Sequence, residues 1–333
     1  MPIVFQATVA WAAASLLLPP LIALSWRIGA LDVPKDRRRM HRDSVPRIGG
    51  VAIFFAFLFA VLLRGDGAGL KYTLAGAALV FAVGLADDLF TLPAWLKLFF
   101  QLVATAFTVG GEGTARGAWT FAAVFWVILL TNAHNLIDGL DGLFAGAAIL
   151  ESVGLAAILA AIGRPVGAPL CLAAACLAFR AKNRAPASVF AGDCGSGTVG
   201  FLLGMLSLPA FGGEWSLGWL APALIFAYPI ADLIAAVLRR VLRGKPLFEA
   251  DRGHLHHRLS ATGLGAVAVG RVLLAACAAF VAVGVSLARE KGAWIAAIVC
   301  LAAIGILLVL RHYVLQRAEN KNVPKKVDFR GKI

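Results

Sequence analysis

Acidic residues gather in three short segments that lie far apart in this sequence. Asp87 and Asp88 stand in GLADDLF, Asp138 and Asp141 in NAHNLIDGLDGLFAG, and Asp193 in NRAPASVFAGDCGSG. In proteins, Mg²⁺ is typically held by one or two carboxylates and completed by substrate phosphate oxygens and water. With basic residues nearby and no cysteine cluster, these segments indicate phosphoryl-transfer chemistry assisted by a hard cation.

Histidines and arginines form a further segment of this kind. DRGHLHHRL holds His254, His256 and His257 together with Arg252 and Arg258. Arginine binds phosphate through paired hydrogen bonds, so we interpret this segment as a phosphate contact. Histidines solvated on a basic loop are the simpler alternative. The glycine- and serine-rich AGDCGSG could be a plain turn into the next helix, or an anion site at the N-terminus of that helix.

Each of these features also has a purely structural interpretation. Two acids at a helix end, as in GLADDLF, are usually solvated. Asp138 and Asp141 are three residues apart, so on a helix they would share a face, and the glycines beside them could serve packing alone. Asp232 follows Pro229 in an apolar run, where a kinked helix could open an apolar groove to the bilayer. The combination of several such segments, rather than any single one, favours an active site.

The elements that must position these segments are strongly apolar. Of the 333 residues, 60% are hydrophobic and 15% are charged, and the mean hydropathy is +0.84. A soluble protein would carry about 25% charged residues. The net charge of +13 lies in short loops between apolar runs, which is typical of a membrane protein and argues against a nucleic-acid partner. The five cysteines form no CxxC pair, so neither a disulfide framework nor a zinc site is expected.

Eleven apolar runs approach the roughly 20 residues that a membrane helix needs. They lie near residues 3–26, 48–63, 71–86, 95–110, 118–135, 142–162, 168–180, 197–211, 218–238, 270–288 and 293–311. Several are short, so ten spans is the alternative. Pro19 and Pro20 should kink the first helix, and Pro229 the ninth. The predicted fold is an all-α polytopic integral membrane protein, with a single transmembrane catalytic domain at 1–311 and a basic tail at 312–333 on anionic lipid.

Basic residues predict the orientation of the chain. Alternate loops at 27–47, 87–97, 180–196 and 238–271, with the tail from 311, hold 25 of the 31 Lys and Arg residues. This places the N-terminus outside and the C-terminus in the cytoplasm. Arg27, the first basic residue, follows the first apolar run, so that run is not expected to be a cleaved signal peptide.

The acidic segments and five of the six histidines lie in the same predicted cytoplasmic loops. We therefore expect a water-facing site at the cytoplasmic membrane surface. A membrane transporter for an anionic solute is the alternative from another functional class. A transporter would more often place its acids near the midplane of the bilayer.

Five blocks in this order resemble the polyprenyl-phosphate N-acetylhexosamine-1-phosphate transferases, glycosyltransferase family 4, whose members include phospho-N-acetylmuramoyl-pentapeptide transferase. The blocks, between about Asp32 and Leu259, are DVPKDRRRMHRDSVPRIGG, GLADDLF, NAHNLIDGLDGL, NRAPASVFAGDCGS and DRGHLHHRL. The last is similar to the N-acetylglucosamine-1-phosphate branch, which starts lipopolysaccharide O-antigen, enterobacterial common antigen or teichoic-acid linkage units. The PIHHH-type block of the muramoyl branch is absent. The sequence departs from the family pattern at Ser44, Val45, His134, Phe144 and Ala191.

The resemblance implies a reaction. N-acetylglucosamine 1-phosphate, or a related N-acetylhexosamine 1-phosphate, passes from a UDP-sugar to undecaprenyl phosphate with release of UMP. Mg²⁺ is the implied cofactor, with Mn²⁺ as a substitute. The implied location is the bacterial cytoplasmic (inner) membrane with the active site facing the cytoplasm, and a homodimer is compatible with it. Within the family, the phospho-N-acetylmuramoyl-pentapeptide transferase of peptidoglycan synthesis is the alternative.

The resemblance also implies roles for individual residues. Asp193 is the expected main metal ligand, and Asp88 with Asp87 serves the metal and the lipid phosphate. The expected diphosphate-binding residues are His254, His256, His257 and Arg252. The three histidines and the acids Asp87, Asp88 and Asp193 are the expected catalytic residues. Residues expected around the nucleotide are Asn132, Asn135, Asp138, Asp141 and Asn183, and those expected to attract anionic lipid or donor are Lys35, Arg38, Arg39, His41 and Arg47.

The chemistry of the acceptor bears on the mechanism. The second pKa of a phosphate monoester is about 6, so at neutral pH much of the lipid phosphate is already dianionic. Positioning and charge neutralisation should then matter more than a general base. Single displacement is favoured, and a covalent aspartyl intermediate stays open.

Overall fold

A computed structural model describes residues 2–33, 44–64, 69–113, 117–211, 219–246 and 253–289 of the chain. Over these ranges the protein is almost entirely helical. The helices are α1 (Ile3–Ile28), α2 (Gly50–Arg64), α3 (Lys71–Phe90), α4 (Ala94–Gly111), α5 (Ala118–Ile137), α6 (Leu143–Ala161), α7 (Gly167–Asn183), α8 (Gly192–Ser207), α9 (Leu220–Ile225), α10 (Ala227–Leu242), α11 (Leu255–Ser260) and α12 (Ala266–Ala288). Two short strands, β1 (Leu31–Asp32) and β2 (Val45–Pro46), pair antiparallel.

Seven helices within the described ranges are long and apolar enough to cross a membrane. They are α1, α3, α4, α5, α6, α12, and α8 together with the 3₁₀ turn that follows it to Phe211. This confirms an all-α membrane protein. The count of eleven spans is not confirmed, since α2 has only 15 residues and α7 only 17. The run at 293–311 and the tail at 312–333 lie outside the described residues.

The ninth apolar run is two helices rather than one kinked span. α9 ends at Ile225 and α10 begins at Ala227. Pro229 has no N–H to donate to the carbonyl of Ile225, and its ring would clash with that carbonyl in a continuous helix. The predicted effect of Pro229 is therefore stronger than a kink. α1, in contrast, continues through Pro19 and Pro20 to Ile28.

α8 is the central helix of the bundle. It packs against α2, α3 and α5, and every residue from Cys194 to Ser207 is buried. Gly200 allows α5 to approach closely, because a Cβ at this position would lie 2.6 Å from the carbonyl oxygen of Leu130. This close packing brings the ends of α3 and α5 beside the first turn of α8, where the acidic segments are.

A buried ion pair links α5 to α6. His134 Nε2 lies 2.6 Å from Glu151 Oε2, and neither side chain is exposed to solvent. The other ring nitrogen of His134 lies 2.8 Å from the carbonyl oxygen of Leu130. The sequence placed His134 in a cytoplasmic loop and marked it as a departure from the family pattern. That placement is wrong, because His134 is a buried residue of α5. Glu151 was not predicted, although a single acid inside an apolar run is a recognisable signal.

Candidate active site

Five sequence segments meet around a cavity of about 400 Å³ at one end of the helix bundle. Carboxylates from the end of α3, the α5–α6 turn and the start of α8 share it with histidines of α11. The predicted site residues that line it are Arg47, Asp88, Asn135, Asp138, Asp141, Asp193, His256 and His257. Asp32, Gly139, Leu140, Phe190, Gly192 and Ala266 complete the wall.

Asp88 joins α3 to the N-terminus of α8. Its Oδ1 accepts a hydrogen bond from the backbone N–H of Asp193 at 2.9 Å, and its Oδ2 accepts one from that of Cys194 at 3.0 Å. Arg47 Nη2 donates to the same Oδ1 at 3.0 Å. Free N–H groups at a helix start are satisfied by such a carboxylate, which also interacts favourably with the helix dipole. An anion site at this helix start was one of two alternatives for AGDCGSG, and the protein's own Asp88 carboxylate lies there.

The location of Asp193 differs from the sequence prediction. Helix α8 was expected near residue 197, with Asp193 in the preceding loop, but α8 begins at Gly192. Gly192 has φ +69°, and a Cβ there would collide with the Arg47 carbonyl oxygen and lie 2.5 Å from the Asp88 carboxylate. Because the capping group is 105 positions away in sequence, local patterns could not show where the helix starts.

Lys97 is a site residue that sequence analysis missed. Its Nζ donates to Asp87 Oδ2 at 3.0 Å and to Asp193 Oδ2 at 2.6 Å. Asp87 is held from its other side, because its Oδ1 accepts the backbone N–H of Leu92 at 2.6 Å. The available signal was modest: Lys97 is the single basic residue of the 87–97 loop. One ammonium group therefore bridges two acidic segments.

Asn135 supports the same carboxylate from α5. Its Nδ2 donates to Asp193 Oδ2 at 3.1 Å, and its Oδ1 accepts the Ser196 hydroxyl at 2.9 Å. Asp193 Oδ2 thus receives hydrogen bonds from α4 and α5. Its orientation depends on three helices packing together.

Asp138 and Asp141 do not share a helical face as expected. Asp138 caps the C-terminus of α5, and residues 138–142 form the turn that leads into α6. Asp141 Oδ2 accepts the backbone N–H of Ala187 at 3.0 Å. The turn brings both carboxylates to the cavity because Gly142 adopts φ +72°, a backbone conformation that other residues rarely take.

The pKa of the Asp138 carboxyl is raised well above its usual range. The main cause is removal from water, and the negative charges of Asp193, Asp88 and Asp141 add to it. Among the described residues, no Lys or Arg forms an ion pair with Asp138. A cation in the cavity would relieve this repulsion.

The three predicted histidines separate into two groups. His256 and His257 line the cavity, whereas His254 does not. His254 and His256 are both buried. Burial lowers the pKa of His256 to about 4, and the neighbouring His257 and His254 add to this effect while Asp232 opposes it. His256 is therefore neutral at physiological pH, so it offers hydrogen bonds rather than positive charge.

Other predicted residues lie off the cavity wall or outside the described residues. Asn132 Nδ2 donates to Gln101 Oε1 at 2.8 Å. Asn183 accepts the N–H of Gly142 at 3.1 Å and donates to the carbonyl of Val189 at 2.9 Å. These asparagines tie neighbouring segments together. Lys35, Arg38, Arg39, His41 and Arg252 lie outside the described residues, and their predicted roles stay predictions.

Comparison with known proteins identifies the family. The sequence pattern of glycosyl transferase family 4 matches residues 70–210. A probable undecaprenyl-phosphate N-acetylglucosaminyl 1-phosphate transferase of Bacillus subtilis is 34% identical over 273 residues, which is 75% of each chain. The chain belongs to glycosyl transferase family 4. The predicted family membership is confirmed.

Two further relatives extend the similarity. A decaprenyl-phosphate N-acetylglucosaminephosphotransferase of Mycobacterium tuberculosis is 29% identical over 292 residues, covering 73% of this chain and 72% of the relative. An undecaprenyl-phosphate alpha-N-acetylglucosaminyl 1-phosphate transferase of Yersinia pestis is 29% identical over 315 residues, or 88% and 86% of the two chains. The family 4 match at 70–210 includes the three acidic segments and ends before the α11 histidines.

Proposed function

We propose that this family 4 protein transfers N-acetylglucosamine 1-phosphate from UDP-N-acetylglucosamine to a polyprenyl phosphate such as undecaprenyl phosphate, and releases UMP. The observation that carries the proposal is the cavity in which carboxylates from three distant segments meet histidines from a fourth. The relatives' names supply the sugar phosphate and the lipid class.

The charge of the cavity supports a reaction between phosphates that depends on cations. Both substrates would bring negative charge beside a wall that already contains several carboxylates. Lys97 and Arg47 are the described cations in contact with these carboxylates. On substrate binding, Lys97 can exchange its contact with Asp87 or Asp193 for a phosphate oxygen. We therefore assign Lys97 to neutralising and orienting the transferred phosphate.

The residues also fit a Mg²⁺ ion completed by substrate. Among the described residues, no three Asp, Glu, His or Cys side chains form a ready-made metal site. Mg²⁺ needs only one or two carboxylates when phosphate oxygens and water fill the remaining positions. We propose that Asp193 and Asp138 hold the ion, because both carboxylates line the cavity and no described Lys or Arg forms an ion pair with Asp138. The raised pKa of Asp138, caused by burial and by the neighbouring carboxylates, agrees with this assignment.

Asp88 is a less suitable ligand than the sequence suggested. Its two oxygens already accept hydrogen bonds from Arg47 and from two backbone N–H groups. We assign Asp88 to holding the start of α8, and its role as a metal ligand stays a prediction. When bound, Mg²⁺ would neutralise charge on the diphosphate and polarise its oxygens.

The proposed step is an in-line displacement. An oxygen of the lipid phosphate attacks the β-phosphorus of the UDP-sugar, and a new P–O bond forms. The bond from the β-phosphorus to the bridging oxygen breaks, and UMP leaves with that oxygen. Asp87 and Asp88 are both held by hydrogen bonds within the protein. This supports single displacement over an aspartyl intermediate.

The proposal also covers the membrane location, the orientation and the domain organisation of the protein. We place the protein in the bacterial cytoplasmic membrane, with the cavity facing the cytoplasm, where nucleotide sugars are made. The N-terminus would be outside and the C-terminus inside, as the loop charges predict. Residues 1–311 would form one catalytic domain, which is supported by the single buried core that the described helices share.

The decisive experiment measures UMP release by the detergent-purified protein with undecaprenyl phosphate and Mg²⁺. UDP-N-acetylglucosamine and UDP-N-acetylmuramoyl-pentapeptide are compared as donors, each with and without lipid. We expect lipid-dependent UMP from the first donor only. Release from the second alone would move the protein to the muramoyl branch, and lipid-independent transport of an anion without UMP would overturn the reaction.

The metal assignment has its own test. Asp193→Asn should abolish turnover at every Mg²⁺ concentration, because the remaining carboxylates cannot replace it at the start of α8. Asp138→Asn should raise the Mg²⁺ concentration for half-maximal activity by about tenfold, as expected for loss of one carboxylate ligand. Activity like that of the unmodified protein in Asp193→Asn would contradict the assignment.

A further inference from the structure

A buried carboxylate on α10 holds the histidine helix in place. Asp232 has no solvent exposure, and its Oδ1 accepts the backbone N–H of Leu255 at 3.0 Å. Leu255 is the first residue of α11, which carries His256 and His257. The N–H at this position has no partner within its own helix. Asp232 therefore supplies, from another helix, the acceptor that the start of α11 lacks.

A chain of contacts leads from Asp232 to the cavity wall. Asp232 Oδ2 lies 3.7 Å from His254 Nδ1, and neither atom has a hydrogen-bond partner among the described residues. The His254 ring stacks on that of His256 with 5.8 Å between centroids and 8° between planes. His256 in turn lies against Gly139, where a Cβ would be 3.2 Å from its Nε2.

We infer that Asp232 is a positioning residue, whose carboxylate fixes the first turn of α11 and thereby the places of His256 and His257 in the cavity. His254 belongs to this support, since it stacks on His256 and does not line the cavity. The inference rests on the proposed function, because that function supplies the two substrates whose binding is compared. The family resemblance implies that the α11 histidines bind the donor diphosphate, so we expect Asp232 to affect the donor and not the lipid phosphate.

Two substitutions break the same hydrogen bond from opposite sides. Asp232→Ala removes the acceptor. Leu255→Pro removes the N–H donor, and proline is well tolerated at the first position of a helix. His254, which precedes it, already has the extended backbone that a following proline requires. Asp232→Asn keeps an oxygen acceptor for the Leu255 N–H and should retain donor binding.

The expected kinetic result is a selective loss of donor binding. Asp232→Ala and Leu255→Pro should each raise KM for UDP-N-acetylglucosamine by about tenfold and leave KM for undecaprenyl phosphate within about twofold. The double variant should have about the same donor KM as either single variant, because both substitutions remove the same hydrogen bond. Asp232→Asn should lie within about threefold of the unmodified protein. Glu112→Gln, a carboxylate change at the other end of α3 and α4 that contacts Thr73, is the control.

Amide hydrogen exchange at residues 255–260 tests the anchor without relying on activity. Asp232→Ala should speed exchange in this segment, and Asp232→Asn should not. Unchanged exchange in Asp232→Ala, equal changes in both KM values, or multiplied effects in the double variant would each overturn the inference. If the unmodified protein released no UMP, the proposed function would fail, while the exchange data would still decide whether Asp232 holds α11.

Discussion

At the scale of single residues, the least expected feature is the Lys97 ammonium shared by Asp87 and Asp193. A lone cation between two carboxylates stabilises their charges in the resting site. The same cation is well placed to move to a phosphate when substrate enters. Its side chain is 24% exposed and contacts Asp193, which lines the cavity.

Substitution of Lys97 tests this role. Lys97→Met should lower kcat by at least about a hundredfold, because a charge-neutralising contact to a transferred phosphate is lost. Lys97→Arg should retain more activity, since it keeps the charge but not the compact geometry. Lys71→Met, a lysine change at the opposite end of the bundle, is the control. Equal activity of Lys97→Met and Lys71→Met would show that Lys97 is only structural.

His256 makes a prediction about pH and stability. Its pKa falls from 6.5 to about 4 on folding, so between these pH values the unfolded chain binds a proton that the folded protein does not. Stability should therefore fall as pH drops from about 6.5 to 4, by up to about 3 kcal/mol. Above pH 6.5 this residue contributes no pH dependence.

The measurement is thermal unfolding in detergent between pH 4 and 7.5, in buffer without divalent cations. His256→Gln should flatten the acid part of the Tm profile relative to the unmodified protein. His257→Gln is the matched variant from the same helix. An identical acid slope in the unmodified protein and His256→Gln would contradict the lowered pKa.

At the scale of elements, helix ends are secured by side chains from other helices. Asp88 of α3 caps α8, and Asp232 of α10 caps α11. The side-chain pair His134–Glu151 joins α5 to α6 in the interior of the bundle without capping either helix. Because the last turn of α5 carries Asn135, this pair also bears on how that side chain meets Asp193.

The pair His134–Glu151 can be tested by comparing single and double substitutions. Glu151→Leu alone should destabilise the protein by about 3–5 kcal/mol, because it leaves His134 buried without its partner. The double variant His134→Phe with Glu151→Leu should recover most of that loss, since a well-packed apolar pair can replace a buried ion pair. Tm and expression in membranes are the measurements. Additive losses in the double variant would show that the pair does more than balance charge.

At the scale of the whole molecule, helices that alternate in direction bring all acidic segments to one end. The C-termini of α3, α5 and α7 and the N-termini of α4, α6 and α8 surround or support the cavity. The opposite end carries Arg164 in the α6–α7 connection. The proposed orientation therefore assigns these two ends to opposite sides of the membrane.

Cysteine labelling tests that orientation. The four described cysteines are buried, and Cys300 would be replaced by alanine. In intact cells, a membrane-impermeant maleimide should label Arg164→Cys and not Lys182→Cys, at the cavity end of α7. Permeabilised cells should show labelling of both, as the control for reactivity. The reverse pattern would place the cavity outside the cell.

The amino-acid sequence was enough to predict the class of protein and many of the residues that line the cavity. Apolar runs of this length predict membrane helices, because the bilayer interior contains no water and backbone groups there must hydrogen-bond to one another. Acids and histidines in the connections therefore stand out, and eight residues predicted from five sequence blocks do line one cavity. The starts of the apolar helices were also close to their observed positions, except for α8 and α12, which begin at Gly192 and Ala266 rather than near 197 and 270.

Which side chains face the cavity and which support them follows from helix packing, which no local pattern of the sequence reveals. Lys97 reaches Asp193 across 96 positions of sequence, and Asp88 reaches the start of α8 across 105. Likewise, His256 lines the cavity and His254 does not, because Asp232 and the α5–α6 turn hold α11 between them. Such contacts depend on how close and at what rotation the helices pack. Periodicity and motif spacing describe one segment at a time, so they carry no information about that packing.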